Sequence, residues 1–190
     1  LGVDAALVIV PYYNRPTPKG CFLHYREVSK VGLPLIPYHH PGRTGVLLSS
    51  TVLHDICSLK GVIALKESSG NLSITKSLSS EISILSGDDA LIISSIELGA
   101  KGAISVMANL VPQEWKEMIA QAKKHNIEEA MRIYKKREAL CQAIFLETNP
   151  QGVKWALSTM NKCAPFLRLP LVEPEQSTKE AIEEALYAKT

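Results

Sequence analysis

Short, continuous apolar runs alternate with stretches of helical periodicity through the first half of the chain. The runs at 5–10, 33–38, 62–65, 82–85 and 102–106 are apolar but for Ser83 and Ser105, without sustained every-second-residue polarity. Such runs fit strands buried on both faces of a parallel sheet. Between them lie helical patterns at 18–31, at 50–59, after Gly70, and from Asp88-Asp89 through Leu98. Gly70-Asn71 and Asp88-Asp89 read as helix starts, because short polar side chains can accept from the free amides of a first turn. Strand–helix repeats of this kind imply right-handed crossovers and an α/β fold. After Val106 the pattern is helical only. Val111, Trp115, Met118, Ile119 and Ala122 share one face, as do Ile127, Ala130, Met131 and Tyr134, and later Val153, Ala156, Leu157 and Met160. Pro165, Pro170 and Pro174 mark an irregular stretch before a last helix at 178–188. The pattern therefore predicts a sheet domain over 1–125 and a small helical domain over 126–190.

The 190 residues are 46% apolar and 21% charged, an ordinary globular makeup that can bury a substantial core. The net charge of +2 comes from 21 basic residues scattered among 19 acidic ones. Lys135-Lys136-Arg137, flanked by Tyr134 and Glu138, reads as a solvated helical turn, and no nucleic-acid partner is expected. No apolar run approaches the length that crosses a bilayer, so no membrane partner is expected either. Cys21, Cys57, Cys141 and Cys163 are far apart, with no C-x-x-C pair. They read as free thiols in a reducing compartment, with Cys57 and Cys141 buried in apolar helical patterns. The sequence begins Leu1-Gly2-Val3-Asp4, directly ahead of the first strand, as a piece of a longer chain would. No basic segment followed by an apolar stretch opens it, and the cytoplasm is the expected location.

Reactive groups in parallel α/β folds gather where strands end on their carboxyl side. Those positions hold Tyr12-Tyr13-Asn14 after the first strand and Tyr38 at the end of the second. They also hold Lys66 after the third, Ser86-Gly87 after the fourth and Ile104-Ser105 in the fifth. Lys66 is the most telling. An amine at the mouth of an apolar sheet loses hydration, which favours its neutral form. A neutral amine can attack a ketone and form a Schiff base, and a nearby phenol can relay protons to and from the carbinolamine oxygen. Arg43, in Gly42-Arg43-Thr44-Gly45, offers a planar fork suited to a carboxylate. Each residue alone also has a plain structural explanation. A strand-end lysine can snorkel into water, a tyrosine can cap a core, an arginine can decorate a turn, and Gly87 can serve the turn into a helix.

Together the motifs are more specific. Pro11-Tyr12-Tyr13-Asn14-Arg15-Pro16, Tyr38-x-x-Pro41-Gly42-Arg43-Thr44-Gly45 and Leu65-Lys66-Glu67-Ser68-Ser69-Gly70-Asn71 resemble the dihydrodipicolinate synthases. That family, now called the 4-hydroxy-tetrahydrodipicolinate synthases, belongs to the class I pyruvate aldolase superfamily. Ser86-Gly87-Asp88-Asp89, the run from Gly99 to Val106, and Glu147-Thr148-Asn149-Pro150 extend the resemblance in order over essentially the whole chain. The resemblance implies a (β/α)8 TIM barrel with a C-terminal helical domain, strands four to eight lying in this chain and the first three missing. It implies a lyase of lysine and diaminopimelate biosynthesis that condenses pyruvate with aspartate 4-semialdehyde to 4-hydroxy-tetrahydrodipicolinate. It also implies a homotetramer built as a dimer of dimers, with no cofactor and no metal. Lys66 would form the Schiff base with pyruvate, and Tyr38 would be the central proton relay. Tyr13 would reach across the tight-dimer interface to complete the partner's relay. Arg43 would hold the carboxylate of aspartate semialdehyde, the backbone around Gly87 and Ile104 would line the Lys66 pocket, and Tyr12 would lie near the family's allosteric lysine site.

The chain also departs from the family pattern. With the first three strands would go the threonine of the hydroxyl relay, the backbone donors for pyruvate's carboxylate and most of the lysine-inhibitor pocket. Five of eight strands would leave the barrel open with two raw edges, so the segment alone is expected to be inactive and poorly soluble. His39-His40 stand where the family has asparagine and a small apolar residue, and Gln151-Gly152 follow Asn149-Pro150. Neighbours in extended chain point opposite ways, so His39 and His40 do not read as a metal pair. Two other readings stay open. A sister aldolase, such as an N-acetylneuraminate lyase or sugar-acid aldolase, would share the lysine and tyrosine but has no need of Gly-Arg-Thr-Gly, so Arg43 favours the synthase. The other is a non-catalytic, truncated polypeptide.

Overall fold

The apolar runs of the first half become five parallel strands in a computed structural model that describes residues 2–188. They are β1 (Ala6–Ile9), β2 (Leu35–His39), β3 (Leu65–Glu67), β4 (Ile84–Ser86) and β5 (Gly102–Ala103). They pair in sequence order, every neighbour parallel. Helices fill the connections: α1 (Pro18–Ser29), α2 (Pro41–Thr44), α3 (Ser50–Cys57), α4 (Leu72–Leu78) and α5 (Ile92–Glu97). Side chains cap three of them. Thr17, Ser49 and Asn71 accept from the amides of Gly20, Val52 and Ser73 at 3.2, 3.3 and 3.0 Å, satisfying donors that a first turn leaves free. Asp88 behaves differently. It precedes a 3-10 turn at Asp89–Leu91 but makes no side-chain cap.

Two strands differ from the pattern read in the sequence. Val62 contributes only an isolated bridge to Leu35, and β3 begins at Leu65, so Lys66 sits inside the strand rather than beyond it. The ladder continues past Lys66 because Ser68 donates its amide to the His39 carbonyl at 2.9 Å. At the other edge, β5 stops at Ala103. There the Ser105 hydroxyl accepts from the Ala108 amide at 3.0 Å and turns the chain into a 3-10 helix at Met107–Asn109. Among the thiols, Cys21 and Cys141 are buried and Cys57 is only partly covered; all four cysteines are free.

The chain divides into two compact units, Leu1–Ile104 and Ser105–Thr190. In the first, Leu35, Leu65 and Ile84 from the sheet and Val10 just past β1 pack with Tyr25, Leu53, Ile56, Ile74 and Leu78 from its helices. Tyr25 is wholly buried, and its hydroxyl donates to the Val8 carbonyl at 2.9 Å, so no polar atom of the phenol is left dry and unpaired. The second unit holds α6 (Pro112–Lys123), α7 (Ile127–Lys135), α8 (Glu138–Ala143), α9 (Gln151–Thr159) and α10 (Gln176–Tyr187). Trp115, Met118 and Ala122 of α6 are buried, as are Ala130, Ile133 and Tyr134 of α7, and the Trp115 and Tyr134 rings lie 6.2 Å apart. Arg137 grips Glu114 through two bonds of 3.0 and 2.7 Å. Trp155 of α9 donates to Glu183 of α10 at 3.1 Å. Among the described residues no helix is long and apolar enough to cross a membrane.

Leu65 is fully buried and Leu47 is exposed. Leu65→Ala in the natural full-length protein should therefore cost about 2–5 kcal/mol. Leu47→Ala should stay within about 0.5 kcal/mol. Urea unfolding followed by circular dichroism checks both, and equal losses would contradict the assigned core.

Candidate active site

Register decides which side chains meet. β2 and β3 pair Tyr38 with Lys66 and His39 with Glu67, and strand alternation sends the two pairs to opposite faces of the sheet. On the first face the Lys66 Nζ lies 4.0 Å from the centre of the Tyr38 ring, within the range of cation–π attraction. On the other, buried face the Leu48 amide donates to His39 Nε2 at 3.1 Å. That bond assigns the imidazole proton to Nδ1, which donates to Glu67 Oε2 at 2.8 Å. Glu67 Oε1 in turn accepts from the Ser69 amide at 2.6 Å. A closed chain of hydrogen bonds thus joins β2, β3 and the turn after β3, directly behind Tyr38 and Lys66. The sequence pattern did not disclose it. The two histidines take different partners, since His40 instead sets its ring 5.7 Å from that of Tyr38.

Gly87 follows β4 and donates its amide to the Glu67 carbonyl at 2.8 Å. A Cβ at this position would overlap the Ser68 Oγ and lie 2.7 Å from Lys66 Cε. Only glycine leaves room for the lysine stem. Ser68, two residues beyond Lys66, shares its face of the sheet; it is 5% exposed and its Oγ has no hydrogen-bond partner. Ile104 donates its amide to the Ser86 carbonyl at 2.9 Å, which sets it at the same carboxyl edge, two strands from Lys66.

Arg43 occupies the single turn of α2 and is exposed. Thr44 beside it is buried, its hydroxyl donating to the His40 carbonyl at 3.1 Å and accepting from the Val46 amide at 3.2 Å. Gly45 ends the turn at φ 67°, returning its amide to the Pro41 carbonyl at 2.8 Å, a left-handed conformation that glycine adopts freely. Tyr12 and Tyr13 are not drawn into the Lys66 group. Both are exposed on the loop after β1, Tyr13 at 94% and with φ 65°.

Burial holds the Lys66 amine below the usual lysine range; Asp88 and Asp89 oppose this, and the Arg43 charge adds to it. Burial raises the Tyr38 phenol, against the nearby Ser68 hydroxyl and Arg43, while Asp88 adds to the rise. Burial also raises the Asp88 carboxyl, with Glu67 contributing. His40 is lowered by burial, then by Arg43 and Lys66. The arrangement is an amine biased toward its neutral form, a phenol beside it that keeps its proton, and an exposed arginine whose charge acts on both. Among the described residues no group of three or more His, Cys, Asp and Glu side chains could hold a metal ion.

A sequence profile of the dihydrodipicolinate synthetase family matches residues 1–189. The 4-hydroxy-tetrahydrodipicolinate synthase of Thermodesulfovibrio yellowstonii is 41% identical over 191 residues, covering 98% of this chain and 66% of that protein. The dihydrodipicolinate synthase structure from Aquifex aeolicus matches with a TM-score of 0.93 at 37% identity, over 97% of this chain and 65% of that one. The chloride-inhibited enzyme from Acinetobacter baumannii, solved in complex with pyruvate, matches with a TM-score of 0.93 at 36% identity, over 97% and 65%. The chain thus spans just under two thirds of the length of these relatives.

Asp88 favours the charged form of Lys66. Asp88→Asn should therefore move the Lys66 midpoint further down in pH. The pH dependence of trinitrobenzenesulfonate labelling, read on the Lys66 peptide, measures this. An unchanged or higher midpoint would show that the carboxylate does not act on the amine.

Proposed function

The chain belongs to the dihydrodipicolinate synthetase family, and from that membership we propose that its Lys66 site condenses pyruvate with aspartate 4-semialdehyde. The product would be 4-hydroxy-tetrahydrodipicolinate, in lysine and diaminopimelate biosynthesis, and the enzyme a lyase. The observation that carries the proposal is the Lys66 amine, desolvated and 4.0 Å over the Tyr38 ring, with Gly87 leaving space for its stem. In its neutral form that amine attacks the ketone carbon of pyruvate. Tyr38 carries protons to and from the carbinolamine oxygen, water leaves, and an iminium remains. The Tyr38 phenolate takes a methyl proton to give an enamine, whose carbon attacks the aldehyde of the second substrate; that substrate's amine then displaces Lys66 as the ring closes. Arg43, presented outward by α2, receives that substrate's carboxylate, and the backbone at Gly87 and Ile104 lines the pocket.

The same proposal reads β1 to β5 as strands four to eight of a TIM barrel and assigns residues 126–190 to the helical domain. It places the enzyme in the cytoplasm as a homotetramer of two tight dimers. Tyr13 completes the relay of a neighbouring subunit, a role that suits a tyrosine exposed at 94%. Tyr12 lies near a regulatory lysine site. The Gly-Arg-Thr-Gly turn favours aspartate semialdehyde over the sugar acids used by sister aldolases.

Treatment of the natural full-length protein with pyruvate and borohydride, followed by digestion and mass spectrometry, should place the reduced adduct on Lys66. An adduct on any other lysine, or none, overturns the assignment. Arg43→Ala should lower kcat/KM for aspartate semialdehyde by roughly 10- to 100-fold, as expected for loss of a charge-assisted bidentate pair. Pyruvate trapping should survive that change, and Arg43→Lys should recover little, because the fork is gone. If trapping falls as far as turnover, Arg43 serves the first substrate instead.

A further inference from the structure

Ser68 is a buried hydroxyl with no hydrogen-bond partner, an arrangement that costs free energy wherever it is not put to use. At 5% exposure, bulk water does not reach it freely. Its place is fixed on two sides. Its amide is held by the His39 carbonyl at 2.9 Å, and Gly87 packs so closely that a Cβ there would overlap the Oγ. Strand alternation from Lys66 turns the hydroxyl to the face that holds Lys66 and Tyr38. The oxygen lies near enough to the Tyr38 phenol to counter part of the effect of burial on it. Lys66 from β3, Arg43 from α2, Asp88 after β4 and His40 just past β2 are the charged or titratable groups around that phenol.

We propose that Ser68 is a positioning residue for Tyr38, its hydroxyl donating to the phenol oxygen whenever that oxygen has given up its proton. The inference rests on the Schiff-base reading of Lys66 and adds the group that stabilises its proton carrier. In the dehydration step the neutral carbinolamine receives a proton from Tyr38 on its hydroxyl. The carbon–oxygen bond breaks, water departs, and the nitrogen lone pair closes the iminium. One positive iminium and one phenolate result, so charge and protons balance. The phenolate is then a buried anion, and Ser68 supplies a fixed donor to it without any movement of the backbone. A neutral phenol needs that donor far less, which accounts for the hydroxyl standing unpaired at rest.

Ser68→Ala removes the donor, and Ser68→Cys keeps the volume with only a weak donor. In the natural full-length protein both should slow pyruvate adduct formation, followed by borohydride trapping, by roughly tenfold, the worth of a hydrogen bond to a charged group. KM for pyruvate should stay unchanged. The alkaline limb of the pH–rate profile should move to higher pH, because the phenolate has lost a stabilising donor. Wild-type rate and profile in both variants would overturn the proposal, as would a Cys variant that behaves as wild type beside an impaired Ala variant, since that marks packing alone. If Ser68→Ala does not fold, the Cys variant decides by the same readouts. Absence of any Lys66 adduct in the wild type would instead overturn the Schiff-base reading itself.

Discussion

The site depends on one pairing, the parallel register that sets Tyr38 against Lys66 and, behind them, His39 against Glu67. Because side chains alternate along a strand, a slip of one residue would exchange the two faces. Tyr38 and Lys66 would then be driven into the core, and the buried imidazole and carboxylate toward the opening. The back pair opposes such a slip. Glu67 is nearly dry and is satisfied by His39 Nδ1 at 2.8 Å and by the Ser69 amide at 2.6 Å. A slipped register would break both bonds and carry the Lys66 amine into the core without a partner, a penalty of several kcal/mol. The polar pair on the hidden face thus specifies the geometry of the Tyr38–Lys66 pair on the open one.

That geometry sets a contest over the charge of Lys66. Burial disfavours the ammonium, while Asp88 and Asp89 favour it. Neither side can be removed without changing the amine. A fully desolvated lysine with no acid nearby would lose its proton readily but would have little to hold any positive charge at that nitrogen. A lysine among exposed acids would stay protonated and inert. Asp88 can act here because it does not cap the short helix it precedes. Its carboxyl is itself raised by burial and by Glu67, which tempers its pull on Lys66.

Much of this was legible in the sequence, for identifiable reasons. Apolar runs without alternation read as strands of a parallel sheet, and that sheet followed from 5–10, 33–38 and their successors, although one face of β2, β3 and β4 is only part-buried. The placement of β3 did not follow. Its pairing is extended by Glu67 and Ser68, polar residues that look like a turn until His39 is seen to answer them across the ladder. Ser68 was legible in principle, since position i+2 from a strand lysine must share its face, but nothing in one sequence says that its hydroxyl lacks a partner. The missing cap at Asp88 was hidden in the same way, because an aspartate before a helix ordinarily caps it.

Tyr13 exposes the limit of what a single chain explains. A tyrosine at φ 65° carries backbone strain that glycine would avoid, on the order of 1 kcal/mol. Its ring, 94% exposed, recovers none of that through burial. Gly45 and Gly70 also adopt positive φ, but there the residue type removes the strain. A sequence free to relax its loop would place glycine or asparagine at position 13. The proposed reach into a neighbouring subunit would resolve the mismatch, because an aromatic ring buried across an interface offsets a local cost of this size several times over. On that proposal the strained backbone would hold the phenol outward before any partner arrives.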